Sequence, residues 1–270
     1  MIFSKSEMLS YFFEDPKEIP LERNLNNTKI QYFYTQKEKN IKTQPTEILC
    51  ACLLSGNATL FHKKKDYEIN QFDFFFLPPA NEVFLKIDSK FSGNCKICVF
   101  RYYINQKIEY IFEVQHYSPE RFIPRGDHSS KEKMATYRTV WTAFKNELFM
   151  SGFTNIPSES LRSGVITSVN LEKNESGNIE IYSHIHPQYP EVYIMCIDDD
   201  KYAITQYLIN EEGESVCRDL SDGDGVFFPG SLGHSNFVRP TYKKLDYAMY
   251  MWIIPTFGRT DTVNPITLKI

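Results

Sequence analysis

The sequence predicts an all-β chain folded as two similar barrels in tandem, and three observations carry that expectation. Aromatic residues make up 15% of the 270 residues, with 21 Phe and 17 Tyr, a composition that favours half-buried strands over helices. Apolar residues alternate, or run in short stretches of strand length, between turn-forming Gly, Pro, Asn and Ser. One local pattern also occurs twice: Asp73-Phe74-Phe75-Phe76-Leu77-Pro78-Pro79 in the first half and Asp224-Gly225-Val226-Phe227-Phe228-Pro229-Gly230 in the second. The stretches 72–79 and 223–230 therefore read as counterparts in an internal duplication of long period.

In chain order, Met8, Leu9, Tyr11, Phe12 and Phe13 suggest one short helical turn packed on a sheet, followed by an extended arm at Pro16 and Pro20. From Lys29 the pattern is strand, with Ile30, Tyr32 and Tyr34 on one face. Asn40 to Pro45 reads as a polar loop. The apolar run Ile48 to Leu54, the turn Ser55-Gly56-Asn57 and the strand Ala58 to Phe61 form the core hairpin of a small barrel. Lys63-Lys64-Lys65 reads as a solvated hairpin turn, with His62 an exposed residue beside it. Glu82 to Ile87 is the strand after Pro78-Pro79. Cys95 and Cys98 lie in a strand through Ile97, Val99 and Tyr102, where residues three apart face opposite sides. With six cysteines in all and no second Cys-Xaa-Xaa-Cys, they are expected to be reduced structural thiols.

The polar stretch 114–135, with Pro119, Pro124 and Gly126, is the connection between the halves. This gives an N-terminal barrel over 1–125 and a C-terminal barrel over 126–270. Tyr137 to Trp141 reads as a strand, and 141–149 as either helix or further strand. Ser163 to Leu171 alternates as a strand before a turn at 174–178, and Ile179 to Ser183 lead into the candidate site. Tyr202 to Ile209 is the next inward strand. Leu245 to Ile254 closes the second barrel, with Tyr247, Tyr250 and Trp252 available to line its mouth or fill its core.

The chemistry concentrates in Ser183-His184-Ile185-His186-Pro187-Gln188-Tyr189-Pro190-Glu191-Val192-Tyr193. Strand side chains alternate faces, so His184 and His186 point the same way and can share a ligand. Pro187 and Pro190 interrupt the ladder, and a turn there resets the register so that Glu191, on the next strand, aims back at the histidines. Asp222 to Gly230 reads as turn, strand and turn, delivering His234. A lone buried histidine is usually an ordinary core group, but a doublet with a spaced glutamate is costly to bury unless something pairs it. Three neutral imidazoles and one carboxylate suit a divalent cation, with Zn first and Mn, Fe, Co or Ni as alternatives. Between Ile48 and Ile104 the only histidine is His62, so the first barrel cannot assemble such a set and is expected to be structural, as a packing partner, lid or dimer surface.

Over roughly residues 160–255, this spacing resembles the second half of the two-cupin sugar-acid isomerases, the family of 5-keto-4-deoxyuronate isomerase and 5-deoxy-glucuronate isomerase. The resemblance rests on His184-Ile185-His186, on Glu191-Val192-Tyr193 and on His234. It implies two tandem cupin barrels, each a double-stranded β-helix or jelly roll, with the metal on His184, His186, Glu191 and His234. It also implies a ketol-isomerase interconverting aldose and ketose forms of a uronate-derived sugar acid through an enediolate. Gln206 falls where the resemblance places a polar, barrel-facing residue, the candidate catalytic group that would hold substrate or a metal-bound water; it could equally face solvent. Ile253-Ile254-Pro255, where relatives carry a small Ala-Gly pair, and Asn178 to Tyr182 depart from the pattern near the pocket. Another metallo-cupin enzyme such as an iron dioxygenase, and a non-catalytic sugar-binding cupin, are the alternatives.

Bulk properties exclude several classes. Hydrophobic residues at 42% and charged residues at 24% exclude a disordered chain. A net charge of −4 and a pI near 5.9 leave no general basic footprint for nucleic acid or an anionic membrane. No run approaches the ~18 apolar residues of a membrane span, and no basic segment followed by an apolar stretch opens the chain. A cytoplasmic protein acting on a small molecule is expected, and exposed β-edges favour self-association.

Overall fold

A computed structural model of the chain describes residues 3–17, 20–88, 93–104, 111–119, 123–124, 138–145, 147–156, 171–173, 179–181, 183–239, 241, 243–257 and 266–267. Most of the expected 163–171 strand, the 174–178 turn and residues 125–135 of the expected connection lie outside these. Two compact units are formed. One comprises Met1–Asp15, Glu120–Trp141 and Ser151–Ile270, and the other Pro16–Pro119 and Thr142–Met150.

The chain opens with helix α1 (Lys5–Ser10), which Ser4 caps by accepting the Glu7 N–H at 3.2 Å. Its Met8 is fully buried. The short strand β1 (Phe12–Phe13) follows. The next ten strands are β2 (Leu21–Leu25), β3 (Thr28–Thr35), β4 (Lys39–Lys42), β5 (Glu47–Ser55), β6 (Ala58–His62), β7 (Lys65–Ile69), β8 (Phe74–Leu77), β9 (Glu82–Ile87), β10 (Cys95–Tyr103) and β11 (Glu113–Gln115). They make two antiparallel sheets, ordered β11-β8-β5-β10-β3-β2 and β4-β9-β6-β7. One face of each sheet turns inward onto an apolar core that includes Ile41, Leu49, Leu60, Phe75, Val83 and Val99.

The remaining strands are β12 (Ile123–Pro124), β13 (Arg138–Ala143), β14 (Phe149–Asn155), β15 (Leu171–Lys173), β16 (Ile179–Ile181), β17 (His184–Ile185), β18 (Glu191–Ile197), β19 (Ile204–Ile209), β20 (Ser215–Leu220), β21 (Gly225–Phe228), β22 (Gly233–Val238), β23 (Ala248–Pro255) and β24 (Ile266–Thr267). Their sheets run β1-β21-β18-β23-β14-β13-β12 and β20-β19-β22-β17-β24, with β15-β16 a separate hairpin. No helix among the described residues is long and apolar enough to cross a membrane.

The duplication expected from the two matching stretches 72–79 and 223–230 is visible in strand order. The run β8-β5-β10 is matched by β21-β18-β23, and β4-β9-β6-β7 by β17-β22-β19-β20. Register then aligns individual positions. Leu49 faces Leu77 as Glu191 faces Phe228, and Ile41 faces Val83 as His184 faces His234. The counterparts of His184, Glu191 and His234 are thus Ile41, Leu49 and Val83, all three buried in the core of their barrel.

Two local expectations are corrected, an open one is resolved, and the reduced state expected of the cysteines holds. The expected 40–45 loop is confined to residues 43–46, because Lys39–Lys42 is a strand paired with β9. Only Ile41 of it points inward, too little apolar signal among lysines and an asparagine. His62 is not exposed: the turn at Lys63, with φ 57°, leaves it on the same inward face as Ala58 and Leu60. There it is 8% exposed, stacks on Phe112 at 4.2 Å between centroids and meets Asn81 Oδ1 at 3.2 Å. Residues 141–143 continue a strand rather than starting a helix. The cysteines are free; Cys95 belongs to the core with Ile97 and Val99, and its burial pushes the thiol up to about 11.

The division into units does not follow a single cut after residue 125, because the first fifteen residues group with the C-terminal barrel. Phe12 and Phe13 pair with Val226 and Gly225, and the Phe227 N–H donates to the Tyr11 carbonyl at 3.1 Å. The Asp15 N–H donates to Asp224 at 2.8 Å. Gly225 makes room for this arm, since a Cβ there would lie 2.5 Å from both Phe13 Cζ and the Tyr193 carbonyl oxygen. Gly225→Ala is expected to lower stability by about 2 kcal/mol through overpacking, read as a lower midpoint in chemical denaturation. An unchanged midpoint would contradict the seating of Phe13 over Gly225.

Candidate metal centre

The inner wall of the C-terminal barrel brings the sequence-predicted residues together. His184 sits on β17, directly opposite His234 of β22, and their rings lie 4.1 Å apart. β17 ends after Ile185, and His186 is held by main-chain contacts: its N–H donates to the Gly230 carbonyl at 2.8 Å and its carbonyl accepts the Tyr189 N–H at 2.9 Å. Pro187 and Gln188 make the turn, and β18 restarts at Glu191. The proline-driven reset of register thus has its expected form. The stretch between the doublet and the glutamate is pinned from below by Gly230, where a Cβ would lie 1.8 Å from the Tyr189 oxygen and 2.0 Å from the His186 oxygen.

The ligand nitrogens of His184, His186 and His234 all lie within 4.8 Å of one another, and all three residues are buried. Glu191 Oε2 approaches His234 Nε2 at 3.3 Å and His186 Nε2 at 3.6 Å. Donor atoms about 2.1 Å from one cation stand about 3 to 4 Å from each other, so the carboxylate contacts are already at that spacing. The imidazoles need only a small contraction. Tautomer is also set on one ring. His234 Nδ1 lies 3.2 Å from the Leu232 carbonyl, which can only accept, so Nδ1 carries the proton and Nε2 presents its lone pair toward Glu191. The donor set, three imidazoles and a carboxylate, fits a borderline divalent cation.

Aromatic rings close the wall around these donors. Phe228 is paired with Glu191, and Trp252 with Tyr193. The rings of Phe228 and Tyr193 lie 4.7 and 5.6 Å from that of His234, and Tyr250 stacks against Tyr193 at 4.7 Å. Tyr250 and Trp252 are buried, whereas Tyr247 is only half-buried. Gln206 does not face solvent: it is fully buried on the inner face of β19, two residues from Leu208, which is paired with His234. Asn236, opposite Gln206 and buried, shares that face. Sequence reading missed Asn236, although its spacing of two from His234 is a period-two signal.

Neither a protein-family model nor a curated protein sequence matches this chain. Solved structures do. An IolB-like protein from Salmonella typhimurium LT2 superposes with a TM-score of 0.62 at 10% identity, over 90% of this chain and 91% of its own. The protein Ylba from E. coli gives 0.57 at 7% identity, over 92% and 85%. Oxalate decarboxylase from Lactobacillus farciminis, as a formate complex, gives 0.54 at 9% identity, over 96% and 88%. Such identities show the fold alone, and the fold is all-β with two tandem cupin barrels.

Gly230→Ala displaces the 186–189 turn and is expected to destabilise the protein by about 3 kcal/mol, at the upper end for a single substitution. It should also shift the His186 imidazole resonances in NMR. Resonances that stay in place would contradict the close approach of Gly230 to this turn.

Proposed function

We propose that the C-terminal barrel binds a divalent cation and that the protein is a metal-dependent ketol-isomerase of a uronate-derived sugar acid. The observation that carries the reading is the convergence of three buried imidazoles, with a carboxylate oxygen 3.3 Å and 3.6 Å from two of them. The IolB-like structural neighbour shares the two-barrel fold, and the specific activity rests on the motif resemblance carried by His184, His186, Glu191 and His234.

His184, His186, Glu191 and His234 would hold the cation, with the Leu232 carbonyl fixing His234 in the ligating tautomer. The chemistry a divalent cation supplies when bound there is stabilisation of negative charge on the two oxygens of an enediolate. The rings of Tyr193, Phe228 and Tyr250 exclude water from the neighbouring wall, which strengthens every electrostatic interaction inside it. Gln206, a neutral carboxamide, cannot carry a proton between carbons; its part is to orient substrate by hydrogen bonding. The base that moves the proton is a separate group.

One other reading fits the same fold, which is shared with oxalate decarboxylase: a metallo-cupin enzyme of a different reaction class such as an iron dioxygenase. Oxygen uptake separates the two, because an isomerase consumes none.

Replacing both His184 and His186 with Ala is expected to remove bound metal from the purified protein by elemental analysis. Unchanged stoichiometry would refute the centre. For the intact protein, a divalent ion at about a hundred times its dissociation constant should add about 2.7 kcal/mol of stability, and chelation should remove it. Incubation of the metal-loaded protein with 5-deoxy-glucuronate or 5-keto-4-deoxyuronate should yield the isomeric product by NMR. No conversion with Zn, Mn, Fe, Co or Ni would leave the metal centre standing and discard the isomerase.

A further inference from the structure

We propose that Gln206 makes the site selective for ligands that present a hydroxyl donor to the inner wall, an inference that rests on the metal-centre reading above. Gln206 is fully buried. Its Nε2 lies 3.1 Å from the Tyr207 carbonyl and 3.0 Å from the Ser235 carbonyl. Carbonyl oxygens only accept, so these contacts fix which end of the amide is nitrogen and use both of its protons. The other end, Oε1, is buried and meets no donor among the described residues. A buried amide oxygen in that condition is costly, and natural interiors rarely keep one without a purpose.

Position gives the purpose. On β19 and β22 the inner face carries Leu208 opposite His234 and then Gln206 opposite Asn236. Rows two residues apart on one strand are separated by about 7 Å, so the carboxamide row lies one step from the histidine row. A ligand gripped at the histidines through two oxygens reaches that row with the next oxygen along its carbon chain. Because Oε1 can only accept, that oxygen must carry a proton. A carboxylate there would set acceptor against acceptor and is rejected; a hydroxyl is satisfied.

Two small chelators isolate this contact. Acetohydroxamate and glycolohydroxamate bind a cation through the same two oxygens, and only the second carries an adjacent hydroxyl. Titrated calorimetrically into the full-length, metal-loaded protein, glycolohydroxamate is expected to bind roughly tenfold more tightly, the size of one buried hydrogen bond. In Gln206→Met the two should bind alike, with metal content and acetohydroxamate affinity unchanged. Equal affinities in the wild-type protein overturn the proposal without recourse to a variant, and so does a preference that survives in Gln206→Met. Metal uptake with no binding of either hydroxamate also overturns it, yet leaves the centre in place. A protein that takes up no metal at all overturns the metal-centre reading itself.

Discussion

The face-to-face pairing of His184 with His234 on neighbouring strands is the constraint from which the rest of the C-terminal barrel follows. One ladder position fixes both imidazoles on the inner wall, where water cannot solvate them, and the strand that supplies His184 is only two residues long. The chain must then leave the ladder and return. It does so through Pro187 and Gln188, with His186 tied to Gly230 and Glu191 restarting the opposite sheet beside Phe228. A glycine at 230 is the only residue compatible with that return, since a side chain would occupy the space of two carbonyl oxygens. Burying polar groups in this number is unfavourable unless they are paired, and a cation at the proposed centre would satisfy all four at once.

The two barrels show what duplication leaves free to change. Strand order is common to both, while the interior positions are not. Ile41, Leu49 and Val83 fill the first barrel with hydrocarbon, at the places where the second carries His184, Glu191 and His234 respectively. Apolar burial stabilises such a core without further conditions. The second barrel gives up part of that stabilisation to hold a buried cluster of imidazoles and a carboxylate. Its seven-stranded sheet includes β1 from the N-terminal arm, next to β21 and one strand from Glu191.

Much of this was readable from residues alone, and the limits have physical causes. Period two placed His184 and His186 on one face, and the prolines predicted the reset that aims Glu191 at them. Apolar runs located β5, β8 and β21. By contrast β4 hides because a strand exposed on one face needs only a single inward residue, Ile41. His62 hides because its neighbours are lysines, and a tight left-handed turn at Lys63 rather than its chemistry decides where it points. The arm at Phe12 and Phe13 pairs with residues more than two hundred positions away, and no local pattern encodes so distant a partner. Gln206 lies in Thr205-Gln206-Tyr207, where polarity does not alternate, so its parity had to come from the register with Asn236.

X-ray absorption spectroscopy at the edge of the bound metal addresses the central claim most directly. The account predicts a first coordination shell of light donors with the multiple-scattering signature of three imidazoles, reduced to two when His234 is replaced by Ala. A shell without imidazole scattering, or one indifferent to that replacement, would contradict it.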